Sequence, residues 1–153
     1  MIGRLTMRHV RLALRLLLAV VFLYAAYTKL RQPWLLFAMS IDSYRLLPEW
    51  AVLLVARTLP WIELALGVLL ATGFALPYAA LFTSAQLLVF FTMMARAYAK
   101  GLGIDCGCFG VGEALTGWSL ARDGSFLACA IVLTVSAFSA RSMRPKESGQ
   151  TAG

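Results

Sequence analysis

Four long apolar runs decide what solvent this chain folds in. They are "LALRLLLAVVFLYAAYT" (12–28), "WAVLLVARTLPWIELALGVLLAT" (50–72), "LPYAALFTSAQLLVFFTMMA" (76–95) and "FLACAIVLTVSAFSA" (126–140). A helix rises about 1.5 Å per residue, so about 20 apolar residues cross the roughly 30 Å of hydrocarbon in a bilayer. The first three runs have that size. The fourth is shorter and spans only with help from Gly124 and Ser125 or with a thin, tilted fit. Charged residues make up 14% of the chain against roughly a quarter in soluble domains. The expected fold is therefore an all-α integral membrane protein, a four-transmembrane-helix bundle in the lipid bilayer that occupies residues 1–140 as one domain. The polar remainder, "RSMRPKESGQTAG" (141–153), is expected to be a disordered cytoplasmic tail.

Arg4, Arg8 and Arg11 precede the first run, as the basic segment of a cleaved secretory signal would. A signal core, however, is usually about 7–15 residues, and no small-residue cleavage site precedes Lys29, so a retained helix is expected. The net charge of +7 does not point to nucleic acid, because the basic residues flank the apolar runs and do not gather on one soluble face. Positive charges nearly balance between the two sides. The basic cluster ahead of the first helix then sets the expected orientation: termini in the cytoplasm, and the connections 29–49 and 96–123 outside the cell membrane. In the first of these, Trp34, Phe37, Ile41 and Tyr44 recur at three and four residues, which predicts a short interfacial helix over the bundle mouth.

The second connection carries "GIDCGCFGVG" (103–112), and here the chemistry concentrates. Cys106 and Cys108 are separated by Gly107 alone. A disulfide needs Cα atoms about 4.4–6.8 Å apart, so an extended segment must bend to close one, and glycine permits the bend. So small a ring should be strained and easily reduced, and it closes almost no loop, which favours a redox couple over a structural staple. A metal reading needs more ligands than the chain conveniently offers, although Asp105 with the two thiols can hold a soft ion, and no metal site is expected. The four-ligand set of a structural zinc is absent, and the single histidine, His9, lies on the other side in this topology. Arg96 and Lys100 would lower a thiol pKa, and Asp105 would oppose it. Cys129 falls inside the fourth span and reads as a small buried residue, although exchange with the loop is conceivable.

Glu63 lies near the middle of the second run, where a charged side chain costs at least about 2.5–3.5 kcal/mol. Ala56, Pro60, Gly67 and Ala71 share its helical face. A face of small residues predicts close packing inside the bundle, with Glu63 turned inward and Pro60 able to kink the helix. Candidate partners are Lys29, Arg57, Tyr24, Tyr27 and Gln86. The residue can serve as a structural polar contact or as a handler of protons near a quinone. The P-loop, GxSxG and HExxH patterns do not occur, and no predicted strand precedes "GCFGVG", which removes the dinucleotide reading.

Over residues 12–140 the sequence resembles the MauE/DoxX superfamily of small bacterial membrane proteins, MauE more closely. The matching stretches are "YTKL" (27–30), "IDSYRLLP" (41–48), "ELALGVLLATG" (63–73) and, most specific, "DCGCFG" (105–110). The resemblance implies a membrane thiol–disulfide redox component that matures an exported redox protein. For MauE that protein is the disulfide-rich small subunit of methylamine dehydrogenase. It further implies a four-helix architecture similar to thiol oxidases that pass electrons to a membrane quinone. Cys106 and Cys108 are then the candidate catalytic pair, acting on an exported cysteine-containing protein or a thioredoxin-like partner at the bacterial inner membrane. Glu63, with Lys29 and Arg57, is then the candidate proton-handling or polar site. The rival reading is a non-catalytic chaperone or scaffold for a maturing periplasmic subunit.

Overall fold

The computed structural model describes residues 2–142. Its elements are α1 (Ile2–Arg31), α2 (Trp34–Asp42), α3 (Glu49–Thr72), α4 (Leu76–Ala99), β1 (Asp105–Gly107), β2 (Gly110–Ala114) and α5 (Gly117–Ser142). Among the described residues four helices, α1, α3, α4 and α5, are long and apolar enough to cross a membrane. The molecule is a multi-pass, all-α membrane protein.

The spans form two antiparallel pairs. Along α1 and α3, Arg15 reaches the Ala71 carbonyl, Leu23 packs on Gly67, and Lys29 meets Glu63. Gly67 makes the approach possible: a Cβ there would stand 2.8 Å from Leu23 Cδ2. Along α4 and α5, Tyr98 faces Gly117, Phe91 faces Gly124, and Ser84 Oγ lies 3.0 Å from Thr134 Oγ1. Leu18 and Ala19 of α1 join Ala130 and Leu133 of α5 in a core near the end of the bundle that holds the α3–α4 turn. That turn, "GFALP" (73–77), has Gly73 and Ala75 in left-handed conformation at φ 75° and 46°. By contrast, α3 and α4 touch less than α1 and α3 or α4 and α5 do.

At the opposite end, α2 lies against the first half of α3, burying Phe37, Ala38 and Ile41 on Val52, Ala56 and Leu59. The expected apolar face of this helix is therefore buried except for Trp34, which stays 41% exposed. On α3 the small-residue face runs inward through Ala56, Pro60, Glu63 and Gly67. Ala71 departs from the expectation and is exposed; Leu70 takes the inward position in the last turn, where the helix meets the α3–α4 turn. The helix continues through Pro60.

Several boundaries and one element differ from the sequence reading; α1 begins at Ile2, well ahead of its apolar run at 12. α5 begins at Gly117, well before the apolar run at 126, so the short fourth span is a full-length helix. Its added turns carry Ser119 and Asp123, which are polar by composition but buried, because they face the bundle. α5 also continues through Arg141 and Ser142, the first two residues of the expected tail; the rest of that tail, 143–153, lies outside the described residues. The glycine-rich loop folds as an antiparallel hairpin, with Asp105 opposite Ala114, Gly107 opposite Gly110 and an irregularity between. It is held in the bundle mouth by a third core of Tyr44, Met94, Ala97 and Cys106.

Candidate functional site

The hairpin is set by backbone contacts before its thiols are considered. Leu115 N donates to Ile104 O at 2.9 Å, closing the neck, and Gly112 N donates to Asp105 Oδ2 at 3.1 Å across it. Gly107, at φ 70°, turns the chain where a side chain is both strained and crowded: a Cβ would meet Ser40 Oγ of α2 at 3.0 Å. Cys106 thus sits in β1, and Cys108 and Phe109 form the tip between Gly107 and Gly110. Two side chains from the bundle clamp the two cysteine carbonyls. Tyr44 donates its hydroxyl to Cys106 O at 2.9 Å, and Lys29 donates its ammonium to Cys108 O at 2.7 Å.

The same ammonium donates to both oxygens of Glu63, at 2.8 and 2.9 Å, and both side chains are buried. The rings of Phe37 and Phe90 lie 5.2 and 6.0 Å from it. Gln86 Nε2 is 3.4 Å from Glu63 Oε1. The intramembrane charge pair is therefore physically continuous with the cysteine tip. Of the partners offered for Glu63, the structure brings in Lys29 and Gln86 and leaves out the others. Arg57 is six residues from Glu63, about one and two-thirds helical turns, so it points to another face. Its guanidinium lies 4.5 Å from the Trp34 ring centroid. Tyr24 stacks on Phe109 with centroids 5.6 Å apart, and Tyr27 accepts from Arg31 at 3.0 Å.

Each thiol has its own carboxylate. Cys108 Sγ is 3.2 Å from Asp123 Oδ2, and Cys106 Sγ is 3.5 Å from Glu113 Oε2. Arg122 links the two acids: it ion-pairs with Glu113 and holds its Nε 3.6 Å from Asp123 Oδ1, while its guanidinium lies 4.6 Å from the Phe109 ring centroid. The result is a chain of thiol, acid, guanidinium, acid and thiol around the hairpin tip. Glu113, Arg122 and Asp123 were not singled out by the sequence reading. Asp123 and Arg122 lie ahead of the fourth apolar run, and the signal available was their spacing of one helical turn from the inward-facing Ser119. Arg96 and Lys100 are exposed at the end of α4, and the cation linked to the pair through Glu113 is Arg122.

The thiols stand free and are unequal. The hydrogen bond offered by Cys108 holds the Cys106 thiol below the ordinary thiol range, against the effect of its burial. That bond, burial and the charge of Asp123 push Cys108 up. Arg122 holds the Glu113 carboxyl down, and burial pushes the Tyr44 phenol up, so that it remains a donor. Cys106 is 1% exposed, whereas Cys108 is partly exposed. Cys129 packs beside Ala130 and Leu133 in the distant core. No group of three or more His, Cys, Asp or Glu side chains arranged to hold a metal occurs among the described residues.

Two clefts flank the hairpin. One, only about 30 Å³, is lined by Cys108, Asp123, Glu63, Gln86, Phe109 and Phe126 among others. The other, about 250 Å³, is lined by Cys106, Gly107, Ser40, Tyr44, Gln86 and Phe90 among others.

Compared with known proteins, residues 7–136 match the family model "Methylamine utilisation protein MauE". A methylamine utilization protein MauE of Paracoccus denitrificans is 41% identical over 99 residues, covering 63% of this chain and 52% of that protein. The chain thus spans about half the length of the curated relative it matches. No solved structure matches it.

Proposed function

Because the chain belongs to the MauE family, we propose that it is an accessory membrane protein of methylamine utilisation whose Cys106/Cys108 pair exchanges disulfides with an exported cysteine-containing subunit or a thioredoxin-like partner. The pairing of each thiol with a carboxylate at the bundle mouth carries this reading, with Cys106 buried and Cys108 partly exposed. A tip whose only task was to close a loop has no need of two linked acids.

The inequality of the thiols gives the exchange a direction. A partner thiolate attacks the accessible sulfur, Cys108 Sγ. The Cys106–Cys108 bond breaks, a mixed disulfide forms on Cys108, and Cys106 leaves as thiolate. Leaving is favoured for the thiol of lower pKa. A second partner thiolate attacks its own sulfur in the mixed disulfide, so the partner departs oxidised and Cys108 departs reduced. Asp123, 3.2 Å from Cys108 Sγ, is positioned to exchange a proton with it. Lys29 and Glu63 fix the tip from below. The pair works at the outer face of the bacterial inner membrane, with both termini cytoplasmic.

The test is maturation of the partner subunit in cells carrying Cys106→Ser or Cys108→Ser, together with the thiol–disulfide potential of the purified protein. Loss of partner disulfides in both variants is expected, with a potential well above about −300 mV, below which structural disulfides resist reduction. Normal maturation in both variants would favour the rival reading, a scaffold that holds the subunit without chemistry.

A further inference from the structure

We infer that the end of the bundle opposite the thiols holds a site for the phosphate of an anionic phospholipid, built by Arg15, Arg11 and Arg8 of α1 beside the α3–α4 turn. The site is independent of the thiol-exchange reading, since it lies at the other end of the molecule. Arg15 interrupts the apolar run 12–28, and a charge so placed needs a partner. Glu63 has Lys29, whereas no carboxylate is within ion-pairing distance of Arg15 among the described residues. The Arg15 guanidinium lies over the turn, where Gly73 leaves it room: a Cβ there would collide with Nη1. One donor, Nη2, reaches the Ala71 carbonyl at 3.5 Å, and Nε is buried with no hydrogen-bond partner among the described residues. The planar fork of donors thus keeps capacity for an outside acceptor, and phosphate matches its geometry.

Arg8 and Arg11 are the second observation. Arg8 is exposed and Arg11 partly so, and with Arg15 they recur at three and four residues, which puts all three on one face of α1. Like charges at that spacing destabilise a helix unless an anion sits among them. The chain supplies none at this end. Every described carboxylate lies elsewhere: Asp42 and Glu49 at the end of α2 and the start of α3, Glu63 on Lys29, and Asp105, Glu113 and Asp123 in the hairpin and the first turns of α5. A zwitterionic lipid brings an ammonium beside its phosphate, and with no carboxylate here to receive that ammonium, a lipid of net negative charge fits better.

The depth agrees. Arg15 touches the last turn of α3, so it stands where the hydrocarbon ends, and α1 continues beyond it to Ile2. At about 1.5 Å per residue, Arg11 lies about 6 Å and Arg8 about 10 Å further along the axis. The polar layer on each side of a bilayer is about 5–8 Å thick, so Arg15 and Arg11 bracket the phosphate level and Arg8 stands at its outer edge. Leu12 is one helical turn on from Arg8, and Leu16 one turn on from Leu12; both are exposed and give an acyl chain an apolar path from the stripe toward the bilayer centre.

The experiment uses the full chain in detergent, given equal amounts of phosphatidylglycerol and phosphatidylcholine, with retained lipid counted by native mass spectrometry. Preferential retention of phosphatidylglycerol is expected. Arg15→Gln should cut the preference about fivefold, the share of one arginine near an anionic lipid surface, and Arg11→Gln should cut it by a similar factor. Arg96→Gln, which removes an exposed arginine at the far end of α4, should leave it unchanged. Melting temperature separates binding from a purely structural contact to Ala71: phosphatidylglycerol should raise it above the phosphatidylcholine value in the wild type and not in Arg15→Gln. If Arg15→Gln does not fold, Arg11→Gln, which leaves the Ala71 contact intact, carries the same comparison. Equal retention of the two lipids overturns the site, as does a preference that survives both stripe variants or falls equally in Arg96→Gln. A rise in melting temperature reproduced by inorganic phosphate alone would assign the stripe to a free anion and overturn the lipid.

Discussion

At the scale of single residues, the decisive feature is that two chemically identical thiols are made unlike by their surroundings, which include the hydrogen bond between them, burial and the charge of Asp123. Cys108 donates and Cys106 accepts, so the stabilised anion is on Cys106 while Cys108 keeps its proton. The sign of the pH dependence follows. As pH rises, the first thiolate of the reduced protein appears on Cys106 below the ordinary value of about 8.5, and Cys108 follows well above it. Thiolate ultraviolet absorbance, recorded on a Cys129→Ala background, should show these two separated steps. Replacing Cys108 by Ala removes the donor but leaves Cys106 buried, so the remaining step should move upward. A single step at the ordinary value in both proteins would contradict the asymmetry. Asp123→Asn keeps the side chain's size but removes the charge and the proton acceptor beside Cys108. It should slow re-oxidation of the reduced pair by about 10²-fold, within the range for general-base loss, as stopped-flow measurements can check.

At the scale of elements, the hairpin depends on a charge pair that belongs to the helices. Lys29 satisfies Glu63 and the Cys108 carbonyl at once, so α1, α3 and the hairpin share one cation. Lys29→Met strands a buried carboxylate, and such a change typically costs about 3–5 kcal/mol. Combining it with Glu63→Gln removes the stranded charge, so the double variant should unfold at a higher temperature than Lys29→Met alone, by circular dichroism in detergent. Equal melting temperatures would mean that Glu63 is not charged in the fold.

How much of this was legible depends on how each element declares itself. The runs at 50–72 and 76–95 predicted α3 and α4 closely, because every turn of those helices is apolar enough to show. The early part of α5 was illegible by hydropathy, since Ser119, Arg122 and Asp123 resemble a loop until their inward face is known. The hairpin was illegible for a different reason: strands of three and five residues, rich in glycine, carry no period to read. The two cysteines and Glu63 announced themselves by being odd in their surroundings, and Lys29 was one candidate partner among five. Glu113 and Asp123 had no such oddity, because their significance comes from tertiary proximity to the thiols. Arg57 looked equivalent to Lys29 in sequence, but its phase on α3 turns it away from Glu63 and onto Trp34.

At the scale of the molecule, all the chemistry lies at one end of the bundle, and orientation decides which compartment it meets. The hairpin, α2, the end of α1 and the start of α5 are together at that end. The α3–α4 turn and the Leu18–Ala130 core are at the other. Arg4, Arg8 and Arg11 lie at the start of α1, ahead of its apolar run at 12–28, and basic residues on that side of a first helix favour retention of that end in the cytoplasm. The hairpin would then face the oxidising side, where disulfides persist and where an exported subunit acquires them. Orientation is open to a direct check. With the native cysteines replaced, a single cysteine at Phe74, 73% exposed in the turn, should resist a membrane-impermeant maleimide in intact cells and react after lysis. A single cysteine at Trp118, 75% exposed at the start of α5, should react in intact cells. The reverse pattern would put the thiol pair in the reducing cytoplasm. A pair that oxidises partners there would work against the glutathione poise, so the reverse pattern would remove the proposed direction of electron flow along with the topology.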